Sequence, residues 1–303
     1  MAKTFGKIAL LGRVSDSLVR ETLQGLAPHL ADRGAEVLVA NDLRIEFTPA
    51  SVTRVDEQAL ASVADLVIAV GGDGTMLYAA RLVAGHSVPV LGINRGRLGF
   101  LADVTPDEML HSIDEVMTGN YSTENRLMLR AEVLENGVTT KKARALNDVV
   151  VQKWHAGHML EFETYVDGVY VNSHSSDGLI VASPTGSTAY ALSCNGPIVQ
   201  PELDALILVP ISPHTLSDRP IAIPASLTVE VRLLEREETQ AQLICDGQAI
   251  AELGIDSVLR VSAATERLHL IHPPGYDYYR ILRSKLQWGR GSAGRPGTRR
   301  GRR

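Results

Sequence analysis

Leu66-Val67-Ile68-Ala69-Val70-Gly71-Gly72-Asp73-Gly74-Thr75 is the stretch that decides the fold. Five apolar residues in a row read as a strand buried on both faces, the habit of a parallel sheet. The glycine turn ends that strand. Residues 76–83 then follow as a helix, which Gly85 closes. Strand, glycine turn and helix in succession make half of a β-α-β unit. The same alternation continues outward on both sides. Residues 7–11 form a short apolar strand. Residues 15–33 form a helix with Leu18, Leu23, Leu26 and Leu30 on one side and Gly34 as its C-cap. Residues 36–40 and 88–93 supply further strands. The expectation is an α/β N-terminal domain with an open, mostly parallel sheet, spanning residues 1–124.

The pattern changes near residue 125. Residues 127–134 and 138–145 alternate in polarity around Asn136-Gly137, and residues 161–166 and 169–173 do so around Asp167-Gly168. Both dipeptides supply the positive φ angles of a tight hairpin. Residues 227–234, 240–245, 258–263 and 268–271 are further strand candidates. Many short strands at regular spacing predict a β-rich, sandwich-like C-terminal domain over residues 125–274. A helix at residues 278–286 returns, and residues 275–288 are expected to rejoin the first domain. Residues 289–303 are a Gly/Arg/Pro tail that cannot bury apolar surface and is expected to be disordered.

Composition narrows the function classes. The net charge of the 303 residues is −5; removing the six tail arginines leaves −11 on the rest. So acidic a body is a poor partner for nucleic acid. No run resembles an 18-residue apolar span, so no membrane partner is expected. The chain start lacks a signal peptide's layout. Cys194 and Cys245 form neither a disulfide framework nor a metal-binding spacing, which fits a reducing cytoplasm.

The glycine turn carries the strongest chemical signal. It sits at the carboxyl end of a strand in an open sheet, where such sheets bind ligands. Gly71, Gly72 and Gly74 let backbone approach a pyrophosphate, and a helix N-terminus follows. Asp73 is out of place beside phosphates unless it serves a metal or a reacting hydroxyl. The turn lacks the Lys-Ser/Thr of a Walker A loop and the spacing of a Rossmann fingerprint. A second signal is the run from Ser176-Asp177-Gly178 through Ser183-Pro184-Thr185-Gly186-Ser187-Thr188-Ala189-Tyr190. There a strand at residues 178–182 empties into hydroxyls and free N–H groups suited to a nucleotide. A third is Asn147-Asp148, a pair able to bind the vicinal hydroxyls of a ribose. Each of the three, taken alone, also reads as an ordinary turn.

Together the motifs resemble one family. Gly71 to Thr75 is similar to the GGDGT signature of NAD kinases, and Leu91-Gly92-Ile93-Asn94-Arg95-Gly96-Arg97-Leu98-Gly99-Phe100-Leu101 resembles that family's GINxGxLGFL segment. Asn147-Asp148, the run from Asp177 to Tyr190, the stretch from Pro210 to Pro220 and Asp246-Gly247-Gln248 match as well. The resemblance covers about residues 7–288. It implies phosphorylation of the 2′-hydroxyl of NAD by ATP or polyphosphate, with Asp73 as proton acceptor and Gly74 beside it. Thr75 completes the signature. The resemblance places Asn147, Asp148, His158, Ser175, Asp177, Thr188, Ala189, Tyr190, Ala191, Leu192, Ser193 and Gln248 at binding positions. Ser175 stands where proteobacterial members often carry a basic residue. The resemblance also implies a homodimer or homotetramer. No metal ligand is assigned to the protein; a divalent metal, Mg²⁺, is expected to arrive with ATP. Two other readings share parts of the pattern. A lipid or sugar kinase carries GGDGT, and a non-catalytic NADP-binding regulator would keep the binding positions without needing Asp73.

Overall fold

A computed structural model describes residues 5–47, 52–96, 99–154, 159–215, 217–234 and 240–288. The α/β part runs β1 (Lys7–Gly12), α1 (Ser17–Ala31), β2 (Glu36–Ala40), β3 (Thr53–Val55), α2 (Leu60–Val63), β4 (Leu66–Gly71), α3 (Asp73–Val83), β5 (Val90–Asn94) and α4 (Met109–Met117). The β-rich part follows with β6 (Ser122–Glu135), β7 (Val138–Ala145), β8 (Asp148–Lys153), β9 (Leu160–Val166), β10 (Val169–Ser176) and β11 (Gly178–Ala182). After α5 (Tyr190–Ser193) come β12 (Ala205–Ile211), β13 (Ile221–Pro224), β14 (Val229–Leu233), β15 (Ala241–Cys245), β16 (Gln248–Leu253) and β17 (Ser257–His272). Helix α6 (Tyr278–Leu286) closes the described chain. The two-part organisation expected from the sequence is present.

Strands β5, β4, β1, β2 and β3 lie side by side in that order and all parallel. The chain steps outward from β1 to β3, then returns to the other side of β1 with β4. That reversal is a topological switch point, and the crevice at the carboxyl ends of β1 and β4 is the place for a ligand. Every residue of β4 is buried, because apolar clusters cover both faces of the sheet. On one face α1 packs Val19, Leu23, Leu26 and Leu30, and Asp16 caps it by accepting the Leu18 N–H. On the other, α3 packs Met76, Ala79, Ala80 and Val83.

The β-rich part contributes to the same sheet. The far half of β17 pairs parallel with β5, while β6 runs antiparallel along it. A separate six-stranded sheet, ordered β13-β12-β11-β8-β15-β16, faces these strands, and a core including Leu129, Phe162, Val181 and Leu243 fills the space between. The sequence predicts two strands at 258–263 and 268–271; one strand with a register shift between Ala263 and Arg267 takes their place. The polar Thr265-Glu266 is accommodated by that bulge, not by a turn. Strand β12 escapes the sequence pattern because Pro210 interrupts it. Pro210 lies past the last pairing with β13 (Leu208 with Ile221), where one side of β12 is free of ladder bonds. Helix α4 and the short β3 are also absent from the sequence expectation. Among the described residues no helix is long and apolar enough to cross a membrane.

Candidate active site

The glycine turn is built by close approach. A side chain on Gly71 would run into the Thr75 side chain, and one on Gly99 would strike the Asp73 carboxylate. Helix α3 begins at Asp73 itself, three residues earlier than the sequence predicts. The Asp73 carboxylate explains this. Its Oδ2 accepts the Phe100 N–H and its Oδ1 the Leu101 N–H, each at 3.0 Å. The first turn is thereby pinned to the segment after β5. Gly71, Gly72, Gly74 and Thr75 line a cleft of about 790 Å³ together with Gly12, Arg13, Tyr78, Arg81 and, from the β-rich part, Gln248. The cleft lies at the switch point between β1 and β4.

Asn147 and Asp148 lie at the start of β8, and one residue absent from the sequence-based assignment fixes them. Asp246 accepts the backbone N–H groups of Leu146 and Asn147, each at 2.8 Å, and of Asp148 at 3.3 Å. Arg81 of α3 approaches Asp246 to 3.9 Å and so reaches from the glycine-turn helix into the β-rich part. The hydroxyl-rich loop docks on the same backbone. Ser183 N–H donates to the Asn147 carbonyl at 2.9 Å, the Ser183 hydroxyl reaches the Leu146 carbonyl, and a side chain on Gly186 would overlap the Asn147 carbonyl.

Asn147, Asp148, Ala189 and Tyr190 line a second cavity of about 400 Å³ with Leu77 of α3, Gln152 and Asp246. The structure thus gathers the glycine turn, the Asn-Asp pair and the end of the hydroxyl-rich loop around one helix, α3. Other assigned residues are placed differently. The Thr188 hydroxyl donates to the Thr185 carbonyl at 3.2 Å. Ala191 is buried under the loop, and Leu192 and Ser193 complete the short α5. Asp177 lies just before β11, at the opposite end of that strand from Asp148, roughly 16 Å away along it at about 3.3 Å per residue. It pairs with Lys153 at 2.6 Å, yet its charge is felt by the Tyr190 phenol, as is that of Asp148. Ser175 precedes it and contacts the Met159 sulfur at 3.7 Å. His158 lies outside the described residues, as do residues 289–303.

The comparisons with known proteins fit this geometry. The profile of the ATP-NAD kinase N-terminal domain matches residues 8–121, and that of the ATP-NAD kinase C-terminal domain matches residues 146–273. The chain belongs to the ATP-NAD kinase family. Among curated members it is 44% identical over 285 residues to the NAD kinase of Ectopseudomonas mendocina (strain ymp), covering 94% of this chain and 97% of that one. It is likewise 44% identical over 285 residues to the NAD kinase of Pseudomonas syringae pv. syringae (strain B728a), covering 94% and 96%. Two solved structures share the ATP-NAD kinase fold. The yeast NADH kinase complexed with NADH superposes with a TM-score of 0.87 at 23% identity, covering 95% of this chain and 89% of that one. An NAD kinase from Archaeoglobus fulgidus in complex with ATP gives 0.73 at 24%, covering 93% and 98%. The chain is an enzyme, and its reaction is the phosphorylation of NAD to NADP with ATP.

The site also sets a pH dependence for this family member. Burial first, and then the Asp246 charge, push the Asp148 carboxyl up to about 7, against a backbone N–H from Tyr190. Burial raises Asp246 as well, although the three amides and Arg81 oppose it. A carboxyl with a raised folded pKa holds its proton in the folded chain between about pH 4 and 7 while the unfolded chain has lost it. Its stabilising contribution is therefore complete below about pH 4 and disappears as pH rises through about 7. The ligand-free protein is expected to lose up to about 4 kcal/mol of unfolding free energy across that window. Asp148→Asn should flatten the slope. Denaturant titrations at several pH values measure both, and an unchanged slope in the variant would rule Asp148 out as its source.

Proposed function

We propose that Asp73 is the general base of the transfer, and that NAD lies along the cavity lined by Asn147, Asp148, Ala189 and Tyr190. In this reading the adenosine ribose turns its 2′-hydroxyl toward Asp73. Asp73 takes the hydroxyl proton as the oxygen attacks the terminal phosphorus of the donor in line. The two backbone N–H groups use one lone pair on each carboxylate oxygen and leave another on each for that proton. The single observation that carries the reading is the double role of α3. Its first turn is the glycine turn, and its Leu77 lines the cavity of Asn147 and Asp148. The donor phosphates belong in the neighbouring cleft, against Gly71, Gly72, Gly74 and Thr75, with Arg13 and Arg81 among the residues that line it. Gln248 reaches that cleft from the β-rich part. Thr188, Ala191, Leu192 and Ser193 shape the loop, while Asp177 and Ser175 mark the distal end of the dinucleotide site; His158 is kept as a further proposed binding residue.

ATP is the donor, and polyphosphate is proposed as a second one. A divalent metal, Mg²⁺, enters with the donor. At the turn, the Thr75 hydroxyl on the cleft wall is a hard oxygen donor of the kind that would help to hold it. Among the described residues no cluster of three His, Cys, Asp or Glu side chains would hold it independently. When bound, it neutralises phosphate charge. We also propose a cytoplasmic homodimer or homotetramer, without a nucleic-acid or membrane partner.

The test is NADP formation by purified protein with NAD, ATP and Mg²⁺, and again with excess chelator. Chelation is expected to slow the reaction by roughly a hundredfold or more, since metal stabilisation of phosphoryl charge is worth several kcal/mol. An undiminished rate in chelator would overturn the metal assignment.

A further inference from the structure

We propose that the buried chain Asp103–His272–Glu124–Arg126 is a positioning relay for the transfer, which holds Asp73 at a fixed reach from the nucleotide loop beginning at Thr185. The inference rests on the reading of Asp73 as the base. The relay starts two residues beyond Leu101, whose N–H holds the Asp73 carboxylate. Asp103 Oδ2 lies 3.1 Å from His272 Nδ1, and His272 Nε2 lies 3.1 Å from Glu124 Oε2. A ring with a carboxylate at each nitrogen must donate from both, so His272 is the imidazolium. Glu124 Oε2 also accepts Arg126 Nη2 at 2.7 Å, and Arg126 Nη1 donates to the Thr185 hydroxyl at 3.3 Å. Two cations and two anions alternate, so the interior carries no net charge from the four.

The placement of these residues is what points to function. Glu124 and Arg126 lie on β6, and His272 ends β17, at the place where the β-rich strands join β5 of the α/β sheet. Asp103 comes from the α/β side. Thr185 immediately precedes Gly186, which packs on Asn147. One end of the relay therefore sets the segment that orients Asp73, and the other sets the loop that lines the dinucleotide cavity. The Tyr276 ring stacks on His272 at 3.6 Å and closes the cluster from the segment before α6. The arrangement is a poor device for stability alone. Buried ion pairs barely repay their desolvation, and here Arg126 Nε and Asp103 Oδ1 are buried without a hydrogen-bond partner among the described residues. The charges do hold: burial works against both groups, yet Asp103 and Glu124 raise His272, and His272 with Arg126 keep Glu124 at about 2.

The experiment is a double-mutant cycle on kcat, read on folded protein. Asp103→Ala cuts the relay at its α/β end. It is expected to lower kcat at least tenfold, because a misplacement of about 1 Å can cost about a hundredfold. The KM for NAD should change less than threefold, and Asp103→Asn, which still accepts from His272, should restore most of the loss. In an Asp73→Asn background, Asp103→Ala should have little further effect, since it acts through Asp73. If Asp103→Ala does not fold, His272→Gln takes its place in the same cycle. A kcat within twofold of the parent overturns the relay, as do effects that multiply in the double variant. If Asp73→Asn itself leaves kcat unchanged, it is the base assignment that fails, and the two failures are distinguishable.

Discussion

Asp73→Asn is expected to lower kcat by roughly 10²- to 10⁴-fold, the usual worth of a positioned general base. NAD affinity should persist, because the contacts proposed for the dinucleotide come from Asn147, Asp148 and the loop at residues 188–193 and not from Asp73. The variant needs one control. Asp73 accepts two backbone N–H groups, from Phe100 and Leu101, on different oxygens, and in the amide an NH2 donor replaces one of those acceptors. Some loosening of the 99–101 segment must follow. A base and a clamp are separated by what moves together. If Asp73 only clamps, melting temperature, NAD affinity and kcat should decline in step. If it is the base, kcat falls far more than either. Measuring all three on one preparation decides between them.

Gly186→Ala is expected to damage the site by a different route. Its added methyl group would overlap the Asn147 carbonyl, and the Asn147 carbon and Cα lie immediately behind. Neither segment can yield cheaply. Ser183 N–H and the Ser183 hydroxyl already fasten the loop to residues 146–147, and Asp246 holds the same residues from the other side. Overpacking of this kind costs about 1–3 kcal/mol, with about 1 kcal/mol more for each hydrogen bond broken. The expected result is a loss of about 2–4 kcal/mol in stability. NAD affinity should fall tenfold or more, since the displaced backbone carries Asn147 and Asp148. Gly254→Ala is the matched control, because a methyl group there meets nothing within 4 Å. Calorimetric NAD titration and chemical denaturation measure both effects, and a Gly186→Ala protein as stable as Gly254→Ala would refute the packing argument.

Much of the α/β part is legible in the sequence because its signals are local. The apolar run of β4, the glycines that stop it and the leucine stripe of α1 need no distant partner to be read. The site is less legible where it depends on contacts across the chain. Asp246 enters the sequence reading only within the matching run Asp246-Gly247-Gln248, and in the structure its φ of 47° with 76° at Gly247 makes it part of a tight turn. Its hold on residues 146–148 involves partners about a hundred positions away and leaves no periodic trace. The same is true of Arg81, whose helical position is ordinary until the fold brings Asp246 to it. Asp177 shows the opposite case. It stands close to the hydroxyl-rich loop in sequence, but a whole strand, β11, separates it from Asp148 in space. The start of α3 moves to Asp73 for a related reason. Gly74 in its first turn is a poor helix former, and the amides of residues 100 and 101 hold the turn that local propensity would leave open.

The most direct test of the account is a single-turnover measurement of NADP formed on enzyme saturated with NAD and ATP–Mg²⁺, comparing the parent with Asp73→Asn. The account predicts full occupancy by NAD in both and a rate of NADP formation at least about a hundredfold lower in the variant. Transfer at the parent rate by NAD-saturated Asp73→Asn would contradict it.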